Sequence, residues 1–523
     1  MAAVEDSIQK VPASVVKKLE SAIGKENVKI SKFERLLYSH DLAPLPKEVQ
    51  LAFKNVPDIV VKPCTTGHVQ KIVKIAADAG LPITPRGSST WGLGGSMPAF
   101  GGILIDMSGS MNKILKIDKD DLCVTAQAGA TWKEVYEACL KEGMLLGSYP
   151  SSYPSATLAG WISTSGIGIG GYKYGSAGNE IRNMKVVMPD GTIIDTGFDH
   201  VCDNLSGYNL NWLLTGAEGT LGVITEVTFK LEPAPEVMRS IAYEFESVEA
   251  MGDPMMDLCR SRARPLHIQF YDGQHFAMLR QAGKHAPEVD SLLTVQLEGD
   301  KAMVDLEEQI IDSIMIEKYG AKKMDPEFAE HEWDERSYEF RAREMGLGHI
   351  PGEVVVPVKH FTEFTRKTFD LMDELKLQGG MTGMVADRNT VMFMPYYFFD
   401  TSNILSLTAF SFNKKFADLS MEYGGRSCGF GMFFASSLKT IRGDGAVYMK
   451  RIKEAVDPKD IMNPGTLLAT VTRQNITIPS QLFNMGMNLM ATAKKMIPKE
   501  DVVGQKATEY EVERNKREGH EGR

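Results

Sequence analysis

The chain has 523 residues, a formal net charge of −10, and 43% apolar against 24% charged residues. That length favours more than one domain, and the balance is that of a folded globular protein. The acidic sign argues against a nucleic-acid footprint, and no apolar run is long enough to span a bilayer. Six cysteines, Cys64, Cys123, Cys139, Cys202, Cys259 and Cys428, lie far apart without a CxxC or metal-site spacing. They read as reduced thiols, which points to a cytoplasmic protein that holds no iron–sulfur cluster of its own. Residues 1–10 carry Glu5 and Asp6 without an apolar core, so no secretory signal is expected.

Residues 12–23 read as a short amphipathic helix with Val15, Val16, Leu19 and Ile23 on one face. Residues 31–46 are mixed and wrap a domain edge. A short strand at 59–61 precedes a helix at 65–79, with Thr66 as N-cap and Gly80 as its stop. After the apolar step 81–83 comes Pro85-Arg86-Gly87-Ser88-Ser89-Thr90-Trp91-Gly92-Leu93-Gly94-Gly95, then a strand at 102–106. Glycine admits positive φ and close approach of a ligand to the main chain, and successive N–H groups there suit a phosphate oxygen. Taken alone, a Gly-rich surface loop is as good a reading. Strands at 122–126 and 184–188 flank a helix at 131–142, and Pro189-Asp190-Gly191 signals a turn. A strand with alternating apolar positions covers 222–231. Gly166, Gly168 and Gly171 fit GxGxxG, but Tyr172-Lys173-Tyr174-Gly175 is a poor helix start, so no nicotinamide site is expected there. Pro233-Ala234-Pro235 marks a boundary. Beyond it strands at 240–245, 266–271, 292–297, 354–356, 381–386 and 390–396 alternate with helices at 247–262, 301–319 and 360–377. That pattern suits an open sheet covered on one face. In the tail, Leu482, Met485, Leu489, Ala493 and Met496 recur at helical spacing. They form a helix packed on its own domain, a docking helix for a partner, or a membrane-surface helix, in that order. From Lys499 on, mixed charges with little apolar content predict a frayed end.

Two further stretches resolve the Gly-rich loop. One runs from Ser155-Ala156-Thr157-Leu158-Ala159-Gly160 through Ser163-Thr164-Ser165-Gly166-Ile167-Gly168 to Tyr174. The other is Thr215-Gly216-Ala217-Glu218-Gly219-Thr220-Leu221-Gly222-Val223-Ile224. With the first loop and Ile461-Met462-Asn463-Pro464-Gly465, they make the chain resemble the flavoprotein family of vanillyl-alcohol oxidase and p-cresol methylhydroxylase. The similarity is strongest to its glycolate oxidase flavoprotein subunit and D-lactate dehydrogenase branch, over residues 56–467.

The resemblance implies an α+β fold: a two-part FAD-binding domain of the p-cresol methylhydroxylase type with an inserted α+β cap. The domains expected are an N-terminal wrap (1–55), the FAD-binding domain (56–235), the substrate cap (236–448), a return to the FAD domain (449–470), and a C-terminal extension (471–523). The cofactor contacts it implies are Pro85, Arg86, Gly87, Ser88, Ser89, Thr90, Gly94 and Gly95 in the first segment. In the second they are Ser155, Thr157, Gly160, Ser163, Gly166, Gly168 and Tyr174, and in the third Glu218, Gly219, Gly222, Val223 and Ile224, with Asn463 near the ring. Relatives that bind flavin covalently use a histidine in the first loop. Gly87-Ser88-Ser89-Thr90 has none, so noncovalent FAD is expected.

On the substrate side the chain departs from that branch. The metal-binding histidine segment aligns with residues 384–391, which contain no histidine, and the Glu-His-Gly segment appears as Ser427-Cys428-Gly429. No catalytic metal is therefore expected. Arg343 stands where relatives bind the substrate carboxylate, and guanidinium suits a bidentate carboxylate; a surface ion pair is the equal alternative. His267, Tyr396 and Cys428 are further catalytic candidates, each with a plainer packing role, and the general base is unassigned. The expected function is an FAD-dependent dehydrogenase acting on a 2-hydroxy acid, with electrons passed to an iron–sulfur or electron-transfer-flavoprotein partner. Oxidation of a phenolic or benzylic alcohol, an FAD-bearing subunit of a larger redox complex, and non-redox ether-lipid synthesis stay open.

Overall fold

The computed structural model describes residues 11–42, 55–201, 207–281, 283–284, 286–337, 348–400, 404–471 and 476–499. The strands Ile59–Val61, Ile103–Asp106 and Ile83–Arg86 lie parallel, and Val28–Lys29 adds antiparallel to their edge. Their side chains are almost all buried, as expected for parallel strands covered on both faces. Helix Ala13–Ile23 buries Val15, Leu19 and Ile23 in the same core. Helix Thr66–Ala79 is capped by Thr65, whose hydroxyl accepts from the His68 amide at 3.1 Å. The cap is one residue earlier than predicted because Thr66 is used elsewhere. Its Oγ1 donates to Thr225 Oγ1 and Glu226 Oε1 at 3.0 and 2.9 Å, tying this helix to a second sheet.

That second sheet is antiparallel, in the order Ile114–Asp118, Cys123–Gln127, Val223–Lys230, Ile181–Val187, Ile193–Asp195. Helix Trp132–Lys141 covers it, started by a capping box between Thr131 and Glu134. The C-terminal return joins the first, parallel sheet: Ile83 pairs with Met462, and the Asn463 amide donates to Ile83 O at 2.7 Å.

A nine-stranded antiparallel sheet occupies the middle of the chain. Its order is Lys322–Lys323, Val237–Phe245, Ser291–Gly299, His267–Asp272, Gln378–Asp387, Thr390–Phe399, Val354–Pro357, Arg426–Ser427, and Gly348–Pro351 also pairs with Thr390–Phe399. Helices Gly252–Arg260, Lys301–Asp312, Phe361–Glu374 and Ser411–Glu422 pack on one face. The expected single cover is corrected: Gly273–Gln281 and Pro326–Asp334 bury a smaller core of Tyr271, Phe276, Leu279, Ala329 and Tyr396 on the other. Both were missed in the sequence, since their apolar positions are few and broken by charge.

The seam between the two halves is polar. Tyr174 Oη donates to Glu298 Oε1 at 2.5 Å, Lys173 Nζ lies 3.2 Å from the same carboxylate, and Arg336 Nε donates to Tyr149 Oη at 3.3 Å. In the tail, helix Ser480–Met496 buries only Ala491 and Lys494, while Leu482, Met485, Leu489 and Met496 are exposed. The stripe predicted to pack inward therefore faces out. No described helix is long and apolar enough to cross a membrane. Cys202 and the charged end from residue 500 lie outside the described residues.

Candidate active site

The Gly-rich loop leaves the carboxyl end of the parallel strand Ile83–Arg86, where ligands settle in open α/β sheets. Among the described residues, no amide from Gly87 to Leu93 donates to a protein acceptor. A run of unsatisfied N–H groups at a concave turn is a nest for an anion. The loop is anchored at both ends. Arg86 donates to His40 O at 2.8 Å and lies over the Tyr38 ring, and the Gly94 amide donates to Asp41 Oδ2 at 2.6 Å. Gly87 packs so tightly that a methyl there would lie 2.1 Å from Thr157 Oγ1.

Thr157, in the second segment, stands just ahead of helix Leu158–Ser163. Glu218, at φ +48°, lies in the third. Its amide donates to Ser163 O at 2.9 Å, and its Oε1 accepts from the Phe430 and Gly431 amides, each at 3.3 Å. Burial raises this carboxyl to about 7. Asn463 Nδ2 donates to Gly95 O at 2.8 Å and to Glu218 O at 2.7 Å, so one side chain joins the first and third segments. Lys453 Nζ ties the third segment to the C-terminal return, donating to Thr220 O at 2.9 Å and Met462 O at 2.8 Å.

These segments and the nine-stranded sheet enclose a cavity of about 1380 Å³. Single-ligand pockets run to roughly 300–1,000 Å³, so this one has room for a dinucleotide and a second molecule. Pro85, Arg86, Gly87, Ser88, Ser89, Thr90, Gly95, Ser155, Thr157, Gly160, Ser163, Gly166, Gly168, Glu218, Gly219, Gly222 and Ile224 all line it. Buried Thr157 Oγ1 and Glu218 Oε2 have no protein partner. Bare amides, orphaned polar atoms and a glycine cradle together fit a phosphate-bearing cofactor. Gly94, Tyr174, Val223 and Asn463 are off the lining: the first two are committed to Asp41 and Glu298, Val223 pairs with Val187 inside its sheet, and Asn463 stands behind the wall.

The opposite wall comes from the cap. Glu353, Arg426, Cys428, Met384, Met392 and Met394 line it. Burial lifts the Glu353 carboxyl to about 7, with the Trp91 indole N–H as its hydrogen-bond donor. Trp91 belongs to the Gly-rich loop, and its ring lies against Gly429, where an added Cβ would fall 2.1 Å from the indole. The Cys428 amide donates to the Glu353 main-chain carbonyl at 3.0 Å, so these two cap residues are held side by side where the Trp91 ring of the loop meets the cap. The Cys428 thiol is pushed up to about 12 by burial first and by Glu353 second, which keeps it protonated and not nucleophilic.

The other catalytic candidates lie elsewhere. His267 is buried off the lining, with Nε2 3.1 Å from Gln269 Oε1 and its ring near Trp333; burial lowers it to about 4, so it stays neutral. Tyr396 is wholly buried beneath helix Gly273–Gln281, its hydroxyl 2.8 Å from His275 Nδ1. Both share the sheet face of Met384, Met392 and Met394, but they stand farther along it, where helices Gly273–Gln281 and Pro326–Asp334 cover that face. Arg343 lies outside the described residues. Glu353 was missed in the sequence; the available signal was a lone carboxylate between Pro351-Gly352 and the apolar run 354–356. Among the described residues, one group of metal-ligand type, Asp118, Asp121 and His200, is present, and none of its members lines the cavity.

Residues 57–197 match the FAD binding domain family, and residues 234–467 match the C-terminal domain of FAD linked oxidases. The chain is 27% identical to the glycolate oxidase subunit GlcD of Bacillus subtilis, over 89% of this chain and 99% of that one. It is 27% identical to the mitochondrial D-lactate dehydrogenase [cytochrome] of Arabidopsis thaliana, over 89% and 82%. A solved structure of p-cresol methylhydroxylase with substrate bound superposes with a TM-score of 0.73, at 19% identity over 89% and 98% of the two chains, which speaks to the fold.

Proposed function

The chain belongs to the FAD-binding oxidoreductases of the vanillyl-alcohol oxidase and p-cresol methylhydroxylase family, and from that premise we propose that it is a dehydrogenase of 2-hydroxy acids. FAD supplies the two-electron acceptor, and the protein supplies position and electrostatics. The residues 87–93 amides would hold the diphosphate, with Thr157 and Glu218 meeting its neighbouring polar atoms. A loop without histidine supports noncovalent binding.

Glu353 is our choice of general base. A carboxylate near pH 7 in a cavity, reached by both the cofactor loop and the cap, suits uptake of the substrate hydroxyl proton. The observation that carries the reading is this juxtaposition across one cavity. Arg426 lines the cavity, has no ion-pair partner among the described residues, and suits the substrate carboxylate. Arg343 is a second candidate for that role. Electrons would pass to a protein partner, an iron–sulfur protein or an electron-transfer flavoprotein. Free Cys64, Cys123, Cys139, Cys259 and Cys428 support a reducing, cytoplasmic setting. The test is anaerobic bleaching of the purified yellow protein by a panel of D- and L-2-hydroxy acids. Bleaching by at least one is expected; bleaching by none, with the flavin still reducible by dithionite, overturns the reading.

A further inference from the structure

One small apolar cluster stands apart from the main cores. It comprises Met384, Met392 and Met394, with Ile167, Val355 and Cys428 packed against them. All six line the cavity. The cluster therefore faces a ligand rather than filling a core.

Its shape follows from strand register. Met384 lies opposite Met392, Met392 opposite Val355, and Val355 opposite Arg426. Residues directly opposite in antiparallel strands project to the same face. Four adjacent strands thus present one transverse row: Arg426 at the edge, then Val355, Met392 and Met384. Met394, two residues on from Met392, extends the same face along its strand. Strands lie about 4.8 Å apart, so the row runs from a cation to a thioether wall over about 14 Å. Ile167 closes the opposite side from the cofactor half of the molecule. Thioethers are polarisable and adaptable and favour aromatic partners.

We propose that this row is a substrate subsite that selects a 2-hydroxy acid with a bulky apolar side chain, aromatic above all. The substrate carboxylate sits at Arg426 and its side chain lies along Val355, Met392, Met384 and Met394. The inference rests on the 2-hydroxy-acid reading above and names the class of acid. A small acid such as glycolate or lactate leaves the thioether wall uncovered and gains nothing from it.

The experiment compares two acids that lack the reacting hydroxyl, 3-phenylpropanoate and propanoate, binding to the FAD-loaded protein in a calorimeter. 3-Phenylpropanoate should bind about ten- to hundredfold more tightly, the range set by burying one large apolar group. Met392→Gln should remove most of that ratio and Met392→Leu should keep it, with Met394→Gln and Met394→Leu as the second pair if either fails to fold. Arg426→Gln should weaken both acids alike. Equal affinity for the two acids, or a ratio unmoved by the glutamine variants, overturns the subsite. Anaerobic bleaching by phenyllactate and lactate on the same samples separates the two readings. Tight 3-phenylpropanoate binding without bleaching by any hydroxy acid removes the reaction and leaves the subsite. Equal bleaching together with equal binding removes the subsite and leaves the reaction.

Discussion

Gly429 offers a direct test of how the cofactor loop and the cap wall are joined. Its φ is +72°, and an added Cβ would lie 2.1 and 2.2 Å from two ring atoms of Trp91. Gly429→Ala therefore meets two penalties. Left-handed backbone at a non-glycine residue costs about 1–2 kcal/mol, and overpacking a rigid ring costs about 1–3 kcal/mol more. The sum, about 2–5 kcal/mol, should lower the melting temperature by roughly 4–20 °C, at about 2–4 °C per kcal/mol for a domain of this size. In a Trp91→Ala background the ring is gone and only backbone strain remains, about 1–2 kcal/mol. Thermal unfolding of the two single variants and the double variant forms a closed cycle. The double variant should lose about 1–3 kcal/mol less than the two single losses summed, from relief of the clash. If Gly429→Ala is equally damaging with and without the Trp91 ring, the ring does not rest on Gly429 and the joint described above is wrong.

Three other outcomes follow from the same geometry. Glu353→Gln should slow anaerobic flavin reduction by roughly 10²–10⁴-fold. The wild-type rate should rise as pH passes about 7, where Glu353 deprotonates, and stopped-flow traces of the variant should lack that inflection. Gly87→Ala should weaken FAD binding about ten- to hundredfold, since its methyl would lie 2.1 Å from Thr157 Oγ1; flavin absorbance per protein against unchanged circular dichroism measures it. Asp272, 5% exposed, is raised from 3.8 to about 7 by burial, against two backbone donors that lower it. Its folded state holds the proton more tightly, so its share of stability is present below about pH 4 and is lost as pH rises through about 7. Wild-type stability minus that of Asp272→Asn should fall by ~4 kcal/mol across that window, read from urea melts at each pH; a flat difference refutes the assignment.

Much of the cofactor side was legible because its chemistry is local. Gly87, Ser88 and Ser89 sit in one uninterrupted loop, and the stretches around Thr157 and Glu218 announce themselves by glycine and small hydroxyl residues. Seventeen of the expected contacts line one cavity. The cap was harder. Tyr396 and His267 looked chemical in one dimension, yet they stand where helices Gly273–Gln281 and Pro326–Asp334 cover the sheet, so they are spent on buried packing outside the cavity. Glu353 looked ordinary, and only its burial in the folded cap raises its carboxyl, against the lowering pull of Trp91, a loop residue 262 positions earlier. Helix Gly273–Gln281 escaped notice because its apolar periodicity is weak and its burial comes from the sheet beneath it.

Residue order alone determined that a main chain suited to an anion exists here, since positive φ and exposed amides are properties of short glycine-bearing segments. It also determined that the metal-binding histidines of the related branch are missing. What replaced them was decided by tertiary structure. Met384, Met392, Val355 and Arg426 become one surface only when four strands pair in a single register, and a shift of one residue would turn each side chain to the other face.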